Sequence, residues 1–234
     1  ANILDMAMLR ALSAALNLIG SEPQVKMVVL TGAGDHFSFG ASVAEHKKEI
    51  APAMLREFHG LFLQLAHLGT PLSVLISGQC LGGAMELALA GHFIFADHTA
   101  QLGQPEINLG VFAPPASLLL PLRIGTTRAE ELLITGRIIS GAEAAEMDLV
   151  TRLYPDRAAM EEGLNQWLEE AILPKSASSL RQSVMAARTQ TNHFLERLLP
   201  AVEQQYVESL MATHDANEGI AAFLEKREPQ WENR

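Results

Sequence analysis

Apolar residues recur at helical spacing from the start of the chain. Ile3, Met6, Leu9, Leu12 and Leu16 fall on one face, which predicts an amphipathic helix over residues 2–18. The pattern then changes. Residues 25–31 (Val-Lys-Met-Val-Val-Leu-Thr) form a short β-branched run followed by Gly32-Ala33-Gly34, which reads as a buried strand and a turn. A helical period returns over 54–68. Two more apolar runs of strand length, 71–77 and 92–96, flank a short helix over 82–90 that opens on glycines. Ser140-Gly141-Ala142-Glu143 is a capping box at the head of a helix reaching Met147, and a short strand follows at 149–153. Beyond Asp156 the text is almost wholly helical, with Asp215-Ala216-Asn217-Glu218 as the expected cap of the last helix.

Strands alternating with helices predict an α/β spiral over residues 1–155, and a helical region occupies 156–234. A helix at residue 2 with no strand before it leads us to expect a leading segment ahead of residue 1. With 48% hydrophobic residues in 234, the chain can bury a sizeable core, filled mostly by Ala, Leu, Ile and Val because aromatics reach only 6%. No apolar run is long enough to span a membrane; the longest, 111–122, is interrupted by Pro114, Pro115 and Pro121. The sole cysteine, Cys80, cannot form an internal disulfide, and no secretory signal is visible, so a cytoplasmic location is expected.

The net charge of −10 argues against nucleic acid as a partner. An anionic ligand would need a local basic patch, for which Lys47-Lys48, Arg123, Arg128 and Lys226-Arg227 are the candidates. The eight histidines show no metal-binding spacing, so no metal ligand set is expected. His36 and His46 flank the Gly40-Ala41 loop and could reach a ligand there. Gly32-Ala33-Gly34 lacks the third glycine of a dinucleotide fingerprint.

Two glutamates stand in segments built to hold them: Glu86 in Gly82-Gly83-Ala84-Met85-Glu86, and Glu106 in Gly103-Gln104-Pro105-Glu106. Glycine in the first turn of the helix after Cys80 lets a ligand approach free backbone N–H groups and the positive end of the helix dipole. The loop Phe37-Ser38-Phe39-Gly40-Ala41-Ser42 offers a second N–H, and a pair of such donors would stabilise the oxyanion of an attacked thioester. Two carboxyls beside that thioester can divide acid and base work between them. Taken singly, each feature has a plainer reading: close helix packing for Gly82-Gly83, a cap or an arginine pair for Glu86, a surface turn for Glu106. Ser117 has two readings, a residue in the first turn of a helix after Pro114-Pro115 or a contact to the acyl group.

At these residues the chain resembles the enoyl-CoA hydratase/isomerase (crotonase) superfamily. The resemblance runs from Asn2 to about Trp231, through residues 25–32, Phe37-Ser38-Phe39-Gly40-Ala41, Gly78–Ala88, Gly103–Gly110 and the ending 222–229. It implies a β-β-α spiral, with N-terminal strands missing here, and C-terminal helices that mediate homotrimers or dimers of trimers. It places the oxyanion donors on the backbone N–H groups of Ala41 and Gly83, and the hydratase glutamates on Glu86 and Glu106. Phe39 and Ser117 fall near the expected acyl pocket, and Phe223 and Lys226 match positions that line the nucleotide pocket of an adjacent subunit. An acyl-CoA substrate is implied, with no separate cofactor. Ser42 stands where an aspartate is common, and Phe112–Ser117 replaces a glycine-rich turn. Those departures, with Phe39–Val43, Glu45-His46 and Gly110–Ser117, are similar to the cyclohexa-1,5-diene-1-carbonyl-CoA hydratases of anaerobic benzoyl-CoA degradation. That similarity implies hydration of a cyclic dienoyl thioester; straight-chain enoyl hydration, double-bond isomerisation and a silent binding protein are the alternatives.

Overall fold

The computed structural model describes residues 1–234. In chain order the elements are α1 (Met6–Gly20), β1 (Val28–Thr31), α2 (Ala51–Leu68), β2 (Leu72–Ile76), β3 (Gln79–Leu81), α3 (Gly83–Leu89), β4 (Phe93–Asp97), β5 (Gln101–Gly103), α4 (Pro114–Ile124) and α5 (Thr126–Thr135). They continue with β6 (Ile138–Ser140), α6 (Gly141–Glu146), β7 (Arg152–Tyr154), α7 (Arg157–Trp167), α8 (Ala177–Ala187), α9 (Thr189–Gln204) and α10 (His214–Glu225).

The spiral is visible in how the strands pair. A four-stranded parallel sheet has the order β1-β2-β4-β7, and a smaller sheet has the order β3-β5-β6. Each turn of chain leaves one strand in the large sheet and the next in the small one: β2 then β3, β4 then β5. The first turn does the same in miniature, because β1 is followed by Ser38, which bridges Cys80 of β3 in parallel. In register, Val74 pairs with Leu30 and Ile94, and Cys80 pairs with Leu102. Every residue of β2 is buried, as a parallel strand covered on both faces requires, whereas the edge strand β1 alternates.

Helices α1 and α2 pack on each other, and α9 packs on α2 and α4. One large cluster of buried side chains runs through both sheets and these helices, and a small second one (Leu75, Phe95, Met160, Leu164) forms under α7. Met54 and Met85 are buried in the core.

Several boundaries differ from the sequence reading. Helix α1 starts at Met6, capped by the Asp5 carboxylate, which accepts from Met8 N. Before it, Leu4 instead forms a parallel bridge with Ala41, and Leu4 N donates to Gly40 O at 2.9 Å. Ser140 caps α6 by accepting from Glu143 N, as the capping box requires. The last helix is capped two residues earlier than expected, by Thr213, while Asp215 accepts from the backbone of Glu232 and Asn233. Strands β3, β5 and β6 were not foreseen; with three residues each they carry no periodic signal of their own.

Candidate active site

The turn from β3 into α3 is the centre of the site. Gly82 takes φ 54° and ψ −127°, a conformation that only glycine adopts without strain. Any side chain there would also strike the Glu106 carboxyl, because its Cβ would lie 2.7 Å from Glu106 Oε1. Gly40 has φ 97°, and a Cβ on it would sit 2.4 Å from Leu81 O. Two glycines therefore let the 37–42 loop and the head of α3 close on each other. At that contact a Cβ on Gly83 would lie 3.2 Å from Ala41 N, so the two residues named as oxyanion donors are neighbours. Neither N–H is used in a loop, turn or cap hydrogen bond. The loop is held by its own bonds: Ser38 N to Gln79 O at 2.9 Å, and Gly40 N to Ser38 Oγ at 3.0 Å.

Both N–H groups border a cavity of about 740 Å³, a size that suits a small-molecule ligand. Seventeen of its thirty lining residues are hydrophobic, so the occupant should be largely apolar at its buried end. Glu86 and Glu106 both reach it. Glu86 is 3% exposed on α3, and its Oε1 accepts from Ala116 N, in the first turn of α4, at 2.9 Å. Glu106 lies in a 3-10 turn, Pro105–Leu109, half-buried on the cavity wall. With the Gln104 amide oriented to satisfy its neighbours, its nitrogen donates to Glu106 Oε1 at 3.1 Å and Oε2 at 3.0 Å.

These surroundings hold both carboxyls above the ordinary carboxylate range. Burial is the main cause for Glu86, followed by the charge of Glu106, and the Ala116 N–H opposes both. Burial likewise pushes Glu106 up to about 7. The two acids are coupled and titrate as a pair. Each carboxyl has one donor residue, Ala116 N on Glu86 and the Gln104 amide on Glu106, and Glu86 is the more deeply buried, so burial favours the proton on Glu86 and the charge on Glu106.

Other candidates separate in space. Phe39 and Phe223 both line the cavity of this chain. Ser117 lies on α4 and does not line the cavity; its Oγ donates back to Ala113 O at 2.8 Å, which selects the helix reading. Lys226 ends α10 in a left-handed conformation, exposed and off the cavity wall. Its neighbour Arg227 is on the wall, paired with Glu218 and Glu225.

The basic residues divide in the same way. Lys47 and Lys48 border a small depression that shares Ile220 of α10 with the main cavity. Arg123 instead turns inward, donating to Leu89 O at 3.0 Å and to Gly91 O, so it is not free for a ligand. His46 lines the cavity with Nδ1 on Ser42 O at 2.8 Å, and burial lowers its pKa. His36 does not line the cavity; its Nδ1 accepts from Gln79 N at 3.2 Å.

Three residues of the site were not singled out from the sequence: Gln104, Ala116 and Tyr206. Gln104 could have been suspected from its place two residues before Glu106. Ala116 and Tyr206 carry no sequence signal, because fold alone brings them to the carboxyls.

The family model described as enoyl-CoA hydratase/isomerase matches residues 1–234. The chain is 48% identical over 236 residues to the cyclohexa-1,5-dienecarbonyl-CoA hydratase of Thauera aromatica, covering 100% of this chain and 90% of that one. It is 35% identical over 241 residues to a probable enoyl-CoA hydratase of Rhizobium meliloti, with the same coverage of 100% and 90%. Among solved structures, the enoyl-CoA hydratase of Bacillus anthracis superimposes with a TM-score of 0.76 at 31% identity, covering 100% of this chain and 92% of that one. With the spiral, the paired amides and the two glutamates in the family's order, the chain belongs to the enoyl-CoA hydratase/isomerase family.

Proposed function

We propose that this protein is a hydro-lyase that adds water to a cyclic, conjugated dienoyl-CoA thioester. The observation that carries the reading is the convergence of two unused backbone N–H groups and two coupled carboxyls on one apolar cavity, in a chain 48% identical to a cyclohexa-1,5-dienecarbonyl-CoA hydratase.

The thioester oxygen sits between the N–H groups of Ala41 and Gly83. Water held at Glu86 and Glu106 attacks the ring carbon β to the carbonyl, and negative charge moves onto the thioester oxygen. The two amides stabilise it there, and one such donor is worth roughly 3–4 kcal/mol in the transition state. The water's proton passes to one carboxyl while the other protonates the far end of the diene, so addition is 1,4 and the pair ends with the one proton it began with. One division has Glu86 hold and activate the water and Glu106 deliver the proton; the deeper burial of Glu86 favours the reverse at rest, with Glu106 the ionised partner and Glu86 the protonated one. The addition balances without a redox or metal group, so coenzyme A enters only as part of the substrate.

The nucleotide end of that substrate would leave past Arg227 and the lysine pair Lys47-Lys48. Residues 156–234 would supply the contacts of a trimer or a dimer of trimers. Exposed apolar side chains there, including Leu173, Leu198 and Trp231, support that role. No helix is long and apolar enough to cross a membrane.

Turnover against a panel of thioesters tests the reading. Cyclohexa-1,5-diene-1-carbonyl-CoA should be converted to a single ring-hydroxylated product and crotonyl-CoA far more slowly. Preference for crotonyl-CoA would assign the protein to straight-chain hydration instead.

A further inference from the structure

Tyr206 is 1% exposed, lies on the wall of the cavity, and its hydroxyl has no hydrogen-bond partner. A buried hydroxyl left unpaired is destabilising by about 1–3 kcal/mol, so its retention calls for an explanation. Its place in the fold is unusual as well. Helix α9 runs directly into a π-helical turn, Gln205–Ser209, and Tyr206 is the second residue of that turn. Such turns insert an extra residue and re-aim the side chains around it, and they occur often at functional positions. The ring is fixed edge-on against Phe112 with centroids 5.3 Å apart, and Phe112 is part of the same wall. Burial, reinforced by the charge of the carboxyl pair, keeps the phenol protonated. The result is a hydrogen-bond donor on a residue that lines the same cavity as the carboxyl pair, with no acceptor supplied by the protein.

We propose that Tyr206 is a substrate-binding and specificity-determining residue whose hydroxyl donates to the oxygen that adds to the acyl ring, first as water and then as the ring hydroxyl. The inference rests on the ring-hydratase reading of the site and deepens it. The phenol gives a hydrogen bond and keeps its proton; proton transfer stays with the two glutamates. As folded, the hydroxyl is closed off from water, so a small tilt of the ring against Phe112 accompanies binding. The enzyme would thereby recognise a thioester with a hydroxyl on the carbon next to the carboxyl-bearing one, and would hold the attacking water on the same side of the ring.

Tyr206→Phe keeps the ring and its packing on Phe112 and removes only the hydroxyl. Its thermal midpoint should equal or exceed that of the wild type, since an unpaired buried polar atom is lost. Two ligands separate binding of the hydroxyl from packing of the ring. One is the hydroxylated cyclohexene thioester, assayed as substrate for dehydration. The other is the saturated cyclohexane-carbonyl thioester, assayed as an inhibitor. The variant should show KM for the hydroxylated thioester raised about five- to tenfold, the loss of one hydrogen bond, and an unchanged inhibition constant for the saturated one. If both constants move together, or neither moves, Tyr206 only fills space and the proposal is overturned. A wild-type protein inert to both ring thioesters overturns the ring-hydratase reading and this inference with it.

Discussion

The two walls of the cavity are built on different principles. One wall comprises the 37–42 loop, the head of α3, the turn at Glu106 and the start of α4. There, glycines with positive φ fix the approach of one segment to the next, and each carboxyl is held by a donor: Ala116 N on Glu86 and the Gln104 amide on Glu106. The other wall comprises α10, the π turn after α9 and the residues that follow α10. It is mostly apolar and partly exposed: Phe223 is 54% accessible and Leu224 38%, and its buried hydroxyl, on Tyr206, is unpartnered. The first wall is organised before any ligand arrives, as transition-state stabilisation requires. The second gains most of its partners only when a ligand is present, which suits it to deciding which acyl group is held. Chemistry and selection are thus assigned to separate stretches of chain, the first within residues 37–116 and the second within 206–229.

Substitutions on the first wall should therefore act on turnover, and those on the second on binding. The largest effect is expected from Glu86→Gln or Glu106→Gln, which remove one member of the coupled pair without changing its shape. Each should lower kcat by about 10³-fold, measured on the dienoyl thioester, with circular dichroism unchanged. Either variant keeping normal turnover would dissolve the contrast between the walls. The same variants should change how stability depends on pH. Both carboxyls bind protons more tightly folded than unfolded, so their stabilising contribution is present at low pH. It is lost as pH rises from the ordinary value of 4.5 towards about 7 for Glu106. Glu106→Gln should flatten that decline in a series of thermal melts.

Gly82→Ala comes next. It forces a side chain into a glycine-only conformation, with its Cβ 2.7 Å from Glu106 Oε1. A loss of about 1–3 kcal/mol in denaturant unfolding is expected, together with a fall in kcat as Glu106 is displaced. Gln104→Leu should act more gently. Without the Gln104 amide the ionised form of Glu106 is less favoured, so the acid limb of the kcat/KM profile should move up by about one pH unit. An unmoved profile would mean that Gln104 packs beside Glu106 without tuning it. The smallest effect belongs to the second wall: Phe223→Ala should raise KM about three- to tenfold through lost apolar contact and leave kcat nearly unchanged. A fall in kcat instead would make α10 part of the chemical machinery.

Much of this arrangement can be read from local sequence. The buried strands β2 and β4 show as uninterrupted apolar runs, α2 shows its period, and Ser140 announces its helix. The glycines around Ala41 and Gly83 mark where backbone must approach backbone, and Glu86 and Glu106 stand beside them in the order that makes the family recognisable. These features share one property: each depends on residues within a turn or two of itself, where spacing along the chain and spacing in space are tied.

The tertiary structure decided the rest. Gln104 and Glu106 are two residues apart, yet their contact exists only because β5 and the following turn fold the amide back. Ala116 lies thirty residues from Glu86 and Tyr206 a hundred or more from either carboxyl, so no period connects them. Ser117, one residue from Ala116, turns away because α4 rotates successive side chains by roughly 100°. Phe223 meets the cavity of its own chain because α10 packs against the turns at 43–46 and 105–109. Sequence by itself determined which groups could do the chemistry. Long-range packing, which sums many weak contacts between distant segments, determined which of them meet, how deeply each is buried, and which hydroxyl lines the same cavity.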